Sequence, residues 1–264
     1  MLWDQIVARE EQFDADGRVV VWDATTQRTV WSRLPRTART IAIPHTDEVM
    51  SYVDVRPGHS SFYDGTKHAK KQVVLHFTEG QLHSDLGLLT RAGRRLSVAF
   101  VIGQTGTIYN LFSSAAWSYH LGAVTFGNNT TNSRESVAIE MCNLGRLVKV
   151  GQELHTPAGT AYCTLDDHDA YVEASYRGYD YWAAFSDGQY EALITLLRYL
   201  CATYDIAPVF LAESQRFDTF AGIPGFRGIV SHVNYRATHK WDIGPAFDWD
   251  RVIQGVRGTV SAPL

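Results

Sequence analysis

Apolar positions along the chain recur with two periods, and the elements follow from them. Alternation marks Arg18–Asp23 and Arg28–Ser32 as a β-hairpin, followed by an extended Arg39–Ile43 that Pro44 closes. Residues 54–70 carry Pro, Gly and Ser and have the composition of a loop at a boundary. The short β-branched run Gln72–Thr78 predicts a buried strand, with Val74, His76 and Thr78 on one face and Val73, Leu75 and Phe77 on the other. A helix is expected over Leu82–Leu96, closing near Gly93. Strands Leu96–Ile102 and Thr107–Phe112 flank Gly103–Gly106 as a hairpin, and Ser136–Met141 is a further strand. Ser186 and Gln189 form a capping box for a helix over 186–204, where Tyr190, Leu193, Ile194, Leu197, Leu200, Cys201 and Tyr204 recur at helical spacing. A last strand, Gly228–His232, precedes a helix over Phe247–Gly258. No period fixes the Tyr-rich stretch 145–186. Strands interleaved with helices give an α/β fold, a central mixed β-sheet flanked by helices, with a β-rich N-terminal extension. The expected division is residues 1–66 as that extension and 67–264 as the main domain, with an insertion at 145–186.

Composition narrows the class. With 45% hydrophobic and 20% charged residues the chain belongs with globular proteins and not with disordered, collagenous or coiled-coil ones. A net charge of −4 supplies no field for nucleic acid. The start has no basic and apolar leader pattern and no stretch approaches a membrane span, so synthesis in the cytoplasm without an anchor is expected. Cys142, Cys163 and Cys201 are odd in number and widely spaced, which reads as free thiols.

Three residues are anomalous where they stand. His76 puts an imidazole into an apolar strand, where it is either a core histidine bonded to backbone or a metal ligand. His232 ends another apolar strand, and the segment after it returns Lys240 and Asp242; two imidazoles and a carboxylate are a ligand set that leaves tetrahedral zinc one open position. Glu140 lies within a strand, as a salt-bridged carboxylate or, beside a metal-bound water, a general base. Lys240 is a solvated loop charge or an oxyanion-stabilising cation, and His120, in Trp117–Gly122, belongs to a ligand-contacting rim or an aromatic turn.

Taken in order, these segments resemble the zinc-dependent N-acetylmuramoyl-L-alanine amidases of the amidase-2 family, which includes phage lysozyme-type amidases and peptidoglycan recognition proteins. Val74-Leu-His-Phe-Thr-Glu-Gly80 resembles the family's first-ligand strand, and Val98–Tyr109 its central hairpin. Trp117-Ser-Tyr-His-Leu-Gly122 is similar to a WHAG motif and Ser136–Asn143 to SIGIELVN. The helix from Gln189 and the segment His232–Trp249 complete an ordered set spanning roughly residues 70 to 255. The resemblance implies one Zn²⁺ per chain on His76, His232 and Asp242, with Glu140 and Lys240 catalytic. It also implies a substrate groove lined by His120, Trp117 and Asn143. Phe77, Ala99, Trp241 and Ile243 depart from the family pattern without removing a ligand or a catalytic group.

The implied reaction is hydrolysis of the amide between N-acetylmuramic acid and L-alanine of the stem peptide. The implied partner is peptidoglycan or a muropeptide. A phage endolysin or delivered antibacterial effector, acting at the wall in the periplasm, is the expected setting. Its companions would be a delivery partner (holin or secretion apparatus) or an immunity protein. The alternatives are a non-catalytic peptidoglycan-binding module and a cytosolic amidase that recycles muropeptides.

Overall fold

The computed structural model describes residues 1–23, 25–236 and 238–258. Its centre is a seven-stranded mixed sheet. The chain opens with helix α1 (Trp3–Asp16), which buries Ile6, Glu10 and Phe13 along one face. The hairpin follows as β1 (Arg18–Asp23) and β2 (Arg28–Arg33), antiparallel with Arg18 opposite Arg33. Next come β3 (Arg36–Ala42), β4 (Val49–Val55), β5 (Gln72–Phe77), α2 (Leu82–Leu89), β6 (Phe100–Ile102), β7 (Ile108–Asn110), α3 (Asn129–Arg134) and β8 (Ser136–Met141). Five short strands occupy the middle of the chain: β9 (Arg146–Val150), β10 (Glu153–His155), β11 (Ala161–Thr164), β12 (Tyr171–Tyr176) and β13 (Tyr179–Ala183). The chain finishes with α4 (Asp187–Tyr204), β14 (Gly228–Ser231) and α5 (Trp249–Arg257).

The large sheet runs β14-β5-β8-β6-β7-β4-β3. Its four strands β14, β5, β8 and β6 are mutually parallel, so their C-terminal ends share one edge of the fold. Every residue of β5 is buried, which explains its unbroken apolar run. One face of β5 and β14 presents Val74 and Val230 to Leu121, Leu211, Ile223 and Tyr235; Val73, Leu75 and Phe77 join the main core on the other. Helix α4 buries Leu193, Leu196, Leu197 and Leu200 in that core and starts at a complete Ser186/Gln189 capping box.

Several elements differ from their sequence reading. Helix α2 stops at Leu89 instead of reaching Gly93, which sits in the following turn with positive φ. The strand expected from Leu96 is regular only over Phe100–Ile102. Residues 1–66 hold a helix as well as the hairpin, and β3 and β4 extend the main sheet beyond β7. Residues 145–186 form an antiparallel sheet of order β11-β10-β9-β13-β12. Its small core of Leu147, Leu154, Tyr162 and Ala183 is completed by Leu2, just before α1, and Ile6 within it. Glu10 of the same helix accepts the backbone N–H groups of Gln104 and Thr105, both at 2.9 Å, so α1 links the inserted sheet to the β6–β7 turn. The hairpin lies against α2 because Gly87 has no side chain: a Cβ there would fall 1.9 Å from the Val20 carbonyl oxygen. All three cysteines are buried and unpaired.

Candidate active site

The parallel strands end together, and three sequence anomalies end with them. His76 is the penultimate residue of β5 and pairs in register with Glu140 of β8. His232 follows β14 directly, as the first residue of a 3₁₀ turn. A backbone hydrogen bond of 2.9 Å from Val233 N–H to the Asp242 carbonyl brings the later loop back to the same edge. Such an edge of an open α/β sheet is where ligands bind.

His76 Nδ1 lies 2.9 Å from His232 Nδ1, His232 Nδ1 lies 3.0 Å from Asp242 Oδ2, and His76 Nδ1 lies 3.2 Å from Asp242 Oδ2. All three side chains are buried. The outer ring nitrogens fix which tautomers meet in this triangle. His232 Nε2 lies 3.0 Å from the Leu121 carbonyl, an acceptor only, so Nε2 carries the proton and Nδ1 of the neutral ring is bare. The hydroxyl of Ser136 donates to the Asn132 carbonyl at 2.7 Å, and therefore accepts from His120 Nε2 at 2.9 Å. His120 Nδ1 is then the acceptor for His76 Nε2–H at 3.1 Å, which leaves His76 Nδ1 bare as well.

Two nitrogen lone pairs and a carboxylate oxygen thus face one another across about 3 Å, a repulsive arrangement without a cation between them. The spacing fits zinc: bonds of about 2.0–2.1 Å to tetrahedral ligands separate the donor atoms by about 3.3 Å. Burial pushes the His76 pKa down to about 4, with His232 adding to the effect, so the ring stays neutral at physiological pH. Burial opposes charge on Asp242, yet its carboxyl is held well below the usual range, with the Lys240 ammonium among the charges that favour the carboxylate. His76 and Asp242 therefore have the protonation a divalent metal requires.

Around the triangle stand two charged groups. Glu140 is half-buried, and its Oε2 is enclosed with no hydrogen-bond partner among the described residues. Burial first, then the charge of Asp242, raise its pKa well above the ordinary carboxylate value. Lys240 Nζ lies 3.8 Å from Asp242 Oδ1, the oxygen turned away from the histidines. The inserted sheet grips this loop: Arg177 Nη1 donates to the Lys240 carbonyl at 2.7 Å, and the Arg146 guanidinium lies 3.9 Å over the Trp241 ring while pairing with Glu79. Arg146, Arg177 and Glu79 drew no attention in the sequence, because only the fold brings them to Trp241.

The residues expected to line a groove are placed differently. His120 stands behind His76 as the second member of its hydrogen-bond chain. Trp117 is 4% exposed and packs under the Arg134 guanidinium. Asn143 is 1% exposed, and its carboxamide is committed to the carbonyls of Ala183 and Ala184 and the N–H of Gly145. Both side chains are enclosed.

The family model for N-acetylmuramoyl-L-alanine amidase matches residues 66–245. The chain belongs to that amidase family. The match includes all three residues of the triangle as well as Glu140 and Lys240, while α1, the β1–β2 hairpin, β3 and β4 of this amidase-family chain precede it. Among solved structures, the chain is similar to the Escherichia coli N-acetylmuramyl-L-alanine amidase AmiD, in complex with the substrate anhydro-N-acetylmuramic acid-L-Ala-D-gamma-Glu-L-Lys. The identity is 21% and the TM-score 0.48, over 72% of this chain and 59% of that one. AmpDh3 of Pseudomonas aeruginosa is 17% identical with a TM-score of 0.46, over 72% and 61%. The Clostridium intestinale endolysin LysCS is 14% identical with a TM-score of 0.41, over 75% and 90%. The chain covers about three fifths of the length of the first two. Comparison with curated proteins finds no match.

Proposed function

We propose that the protein hydrolyses the amide bond between N-acetylmuramic acid and the L-alanine of the stem peptide, with His76, His232 and Asp242 holding one zinc ion. The observation that carries this reading is the triangle of His76 Nδ1, His232 Nδ1 and Asp242 Oδ2, which lie within 2.9–3.2 Å of one another. Zinc on three protein ligands supplies an acidified water and a Lewis acid for the scissile carbonyl. Glu140 takes the proton of the attacking water and delivers it to the leaving amine; its Oε2 has no partner among the described residues, and burial favours its protonated form. Lys240 stabilises the charge that grows on the carbonyl oxygen, its ammonium kept near by Asp242 and by the grip of Arg177 on its backbone. His120, Ser136 and the Leu121 carbonyl hold the two imidazoles in the tautomers that binding needs.

The substrate in this reading is wall polymer, met as a phage endolysin or delivered effector meets it, with a holin, a secretion apparatus or an immunity protein as companions. The features in favour are the α1–hairpin module outside the matched region and the inserted sheet beside the Lys240–Asp242 loop. No helix among the described residues is long and apolar enough to cross a membrane. The test is release of L-alanyl peptides from purified sacculi by the zinc-loaded protein, run beside soluble anhydro-muropeptides. Release from sacculi supports the reading; cleavage of the soluble substrate alone replaces it with a recycling amidase. Zinc binding without any release replaces it with a peptidoglycan-binding module.

A further inference from the structure

A hollow of about 360 Å³ lies where α1, the β1–β2 hairpin and α2 converge. Helix α1 contributes Arg9, Phe13 and Asp16 from successive turns, the hairpin Arg18 and Trp31, and α2 His83. Arg9 also bonds Gln81, the residue that opens α2, at 2.7 Å. It belongs to the segment that precedes the family match.

The hollow is built around one ring. Trp31 stays 58% exposed although its indole stacks on the His83 imidazole, with centroids 5.5 Å apart and 22° between planes. The Arg18 guanidinium lies 5.9 Å from the same ring. Arg9 is held by the neutral amides of Gln5 and Gln81, so its charge is not cancelled. Asp16 contributes one carboxylate, whose Oδ1 is occupied by the Arg18 backbone N–H at 2.8 Å. A solvent-facing indole stacked on His83 offers a flat apolar surface, which suits the C–H face of a pyranose. The Arg18 guanidinium over that ring and the Arg9 guanidinium in the same hollow suit a carboxylate on that sugar.

We propose that this hollow binds the glycan strand after its stem peptides have been removed, taking an N-acetylmuramic acid ring against Trp31 and its lactyl carboxylate against Arg9 and Arg18. This rests on the proposed amidase reaction, which converts an uncharged lactyl amide into a free lactyl carboxylate and so creates the anion these arginines complement. Unprocessed strand lacks that carboxylate at each peptide-bearing sugar. The hollow therefore prefers product strand and keeps the enzyme beside the next uncut amide of the same polymer.

The test is binding of peptide-free strands of alternating N-acetylglucosamine and N-acetylmuramic acid by the full chain, followed by calorimetry. The uncharged comparison is chitin oligosaccharide. Wild type binds the peptide-free strands more tightly than the chitin oligomers, and Trp31→Ala and Arg18→Ala each weaken that binding about tenfold. Both side chains are exposed, and thermal unfolding midpoints within a few degrees of wild type show that the variants are folded. Equal affinity for the two polymers overturns the assignment, as do unchanged affinity in Trp31→Ala and failure of wild type to bind the peptide-free strands. Binding is read without turnover, so loss of the amidase reading and loss of this one are separate results.

Discussion

Replacing His120 with leucine tests how the ligand triangle is prepared. His120 accepts the Nε2–H of His76 at 3.1 Å and donates to Ser136 Oγ at 2.9 Å. Leucine fills much of the same space and can do neither. His76 is 2% exposed, so bulk water does not replace the lost acceptor. An unpaired buried N–H costs about 1–3 kcal/mol, and the ring escapes that cost by turning or by moving its proton to Nδ1. Either escape removes the lone pair that faces His232 and Asp242. Zinc affinity is therefore expected to fall about 10- to 100-fold, the range for loss of an outer-shell partner and the equivalent of about 1.4–2.7 kcal/mol. Competition against a chromophoric chelator reads this directly. His120→Gln, whose carbonyl can accept from His76 while its amide donates to Ser136, is expected to recover most of the loss. A leucine variant that binds zinc within about twofold of wild type would refute the proton chain.

Other expectations are sharp enough to fail. Glu140→Gln keeps the shape of the side chain but not its basicity; zinc content should be unchanged and kcat should fall about 10²- to 10⁴-fold on sacculi, whereas near-normal turnover would remove Glu140 from the reaction. Asp85 gives a pH test independent of the metal. Burial raises its pKa to about 7, against hydrogen bonds from Thr78 and Cys142 that lower it. The folded chain thus keeps a proton that the unfolded chain releases near pH 4, so the stability contribution is present at low pH and disappears as pH rises from about 4 to about 7. The melting temperature of Asp85→Asn minus that of wild type, measured in chelator, should be larger at pH 8 than at pH 5; a difference independent of pH would contradict the burial argument.

What the sequence disclosed depended on how local the determinant was. Strand β5 was legible because both of its faces are buried, and α4 because Ser186 and Gln189 announce its start. His76, His232 and Glu140 stood out as polar residues in or at the ends of apolar strands, and the parallel order of β14, β5 and β8 is what aligns them. Helix α1 escaped because its buried stripe of Ile6, Glu10 and Phe13 is interrupted by a carboxylate. Glu10 is tolerated there only because the amides of Gln104 and Thr105, far along the chain, bond to it. Residues 145–186 escaped because strands of three to six residues, reversed at turns with Gly151, Gly159 and Gly178 at positive φ, carry too little alternation to register. His120 was read as groove lining because its partner, His76, is 44 residues away. Trp117 and Asn143 were read as groove lining from motif position, which says nothing about burial, and both are enclosed.

The most direct measurement is the metal itself: zinc content of the purified protein by elemental analysis, with its position from anomalous scattering at the zinc edge. A single zinc per chain is expected, ligated by His76 Nδ1, His232 Nδ1 and Asp242 Oδ2, absent from Asp242→Ala and lost together with hydrolysis of sacculi. Full hydrolytic activity in rigorously metal-free protein, or zinc bound anywhere but between these three atoms, would contradict it.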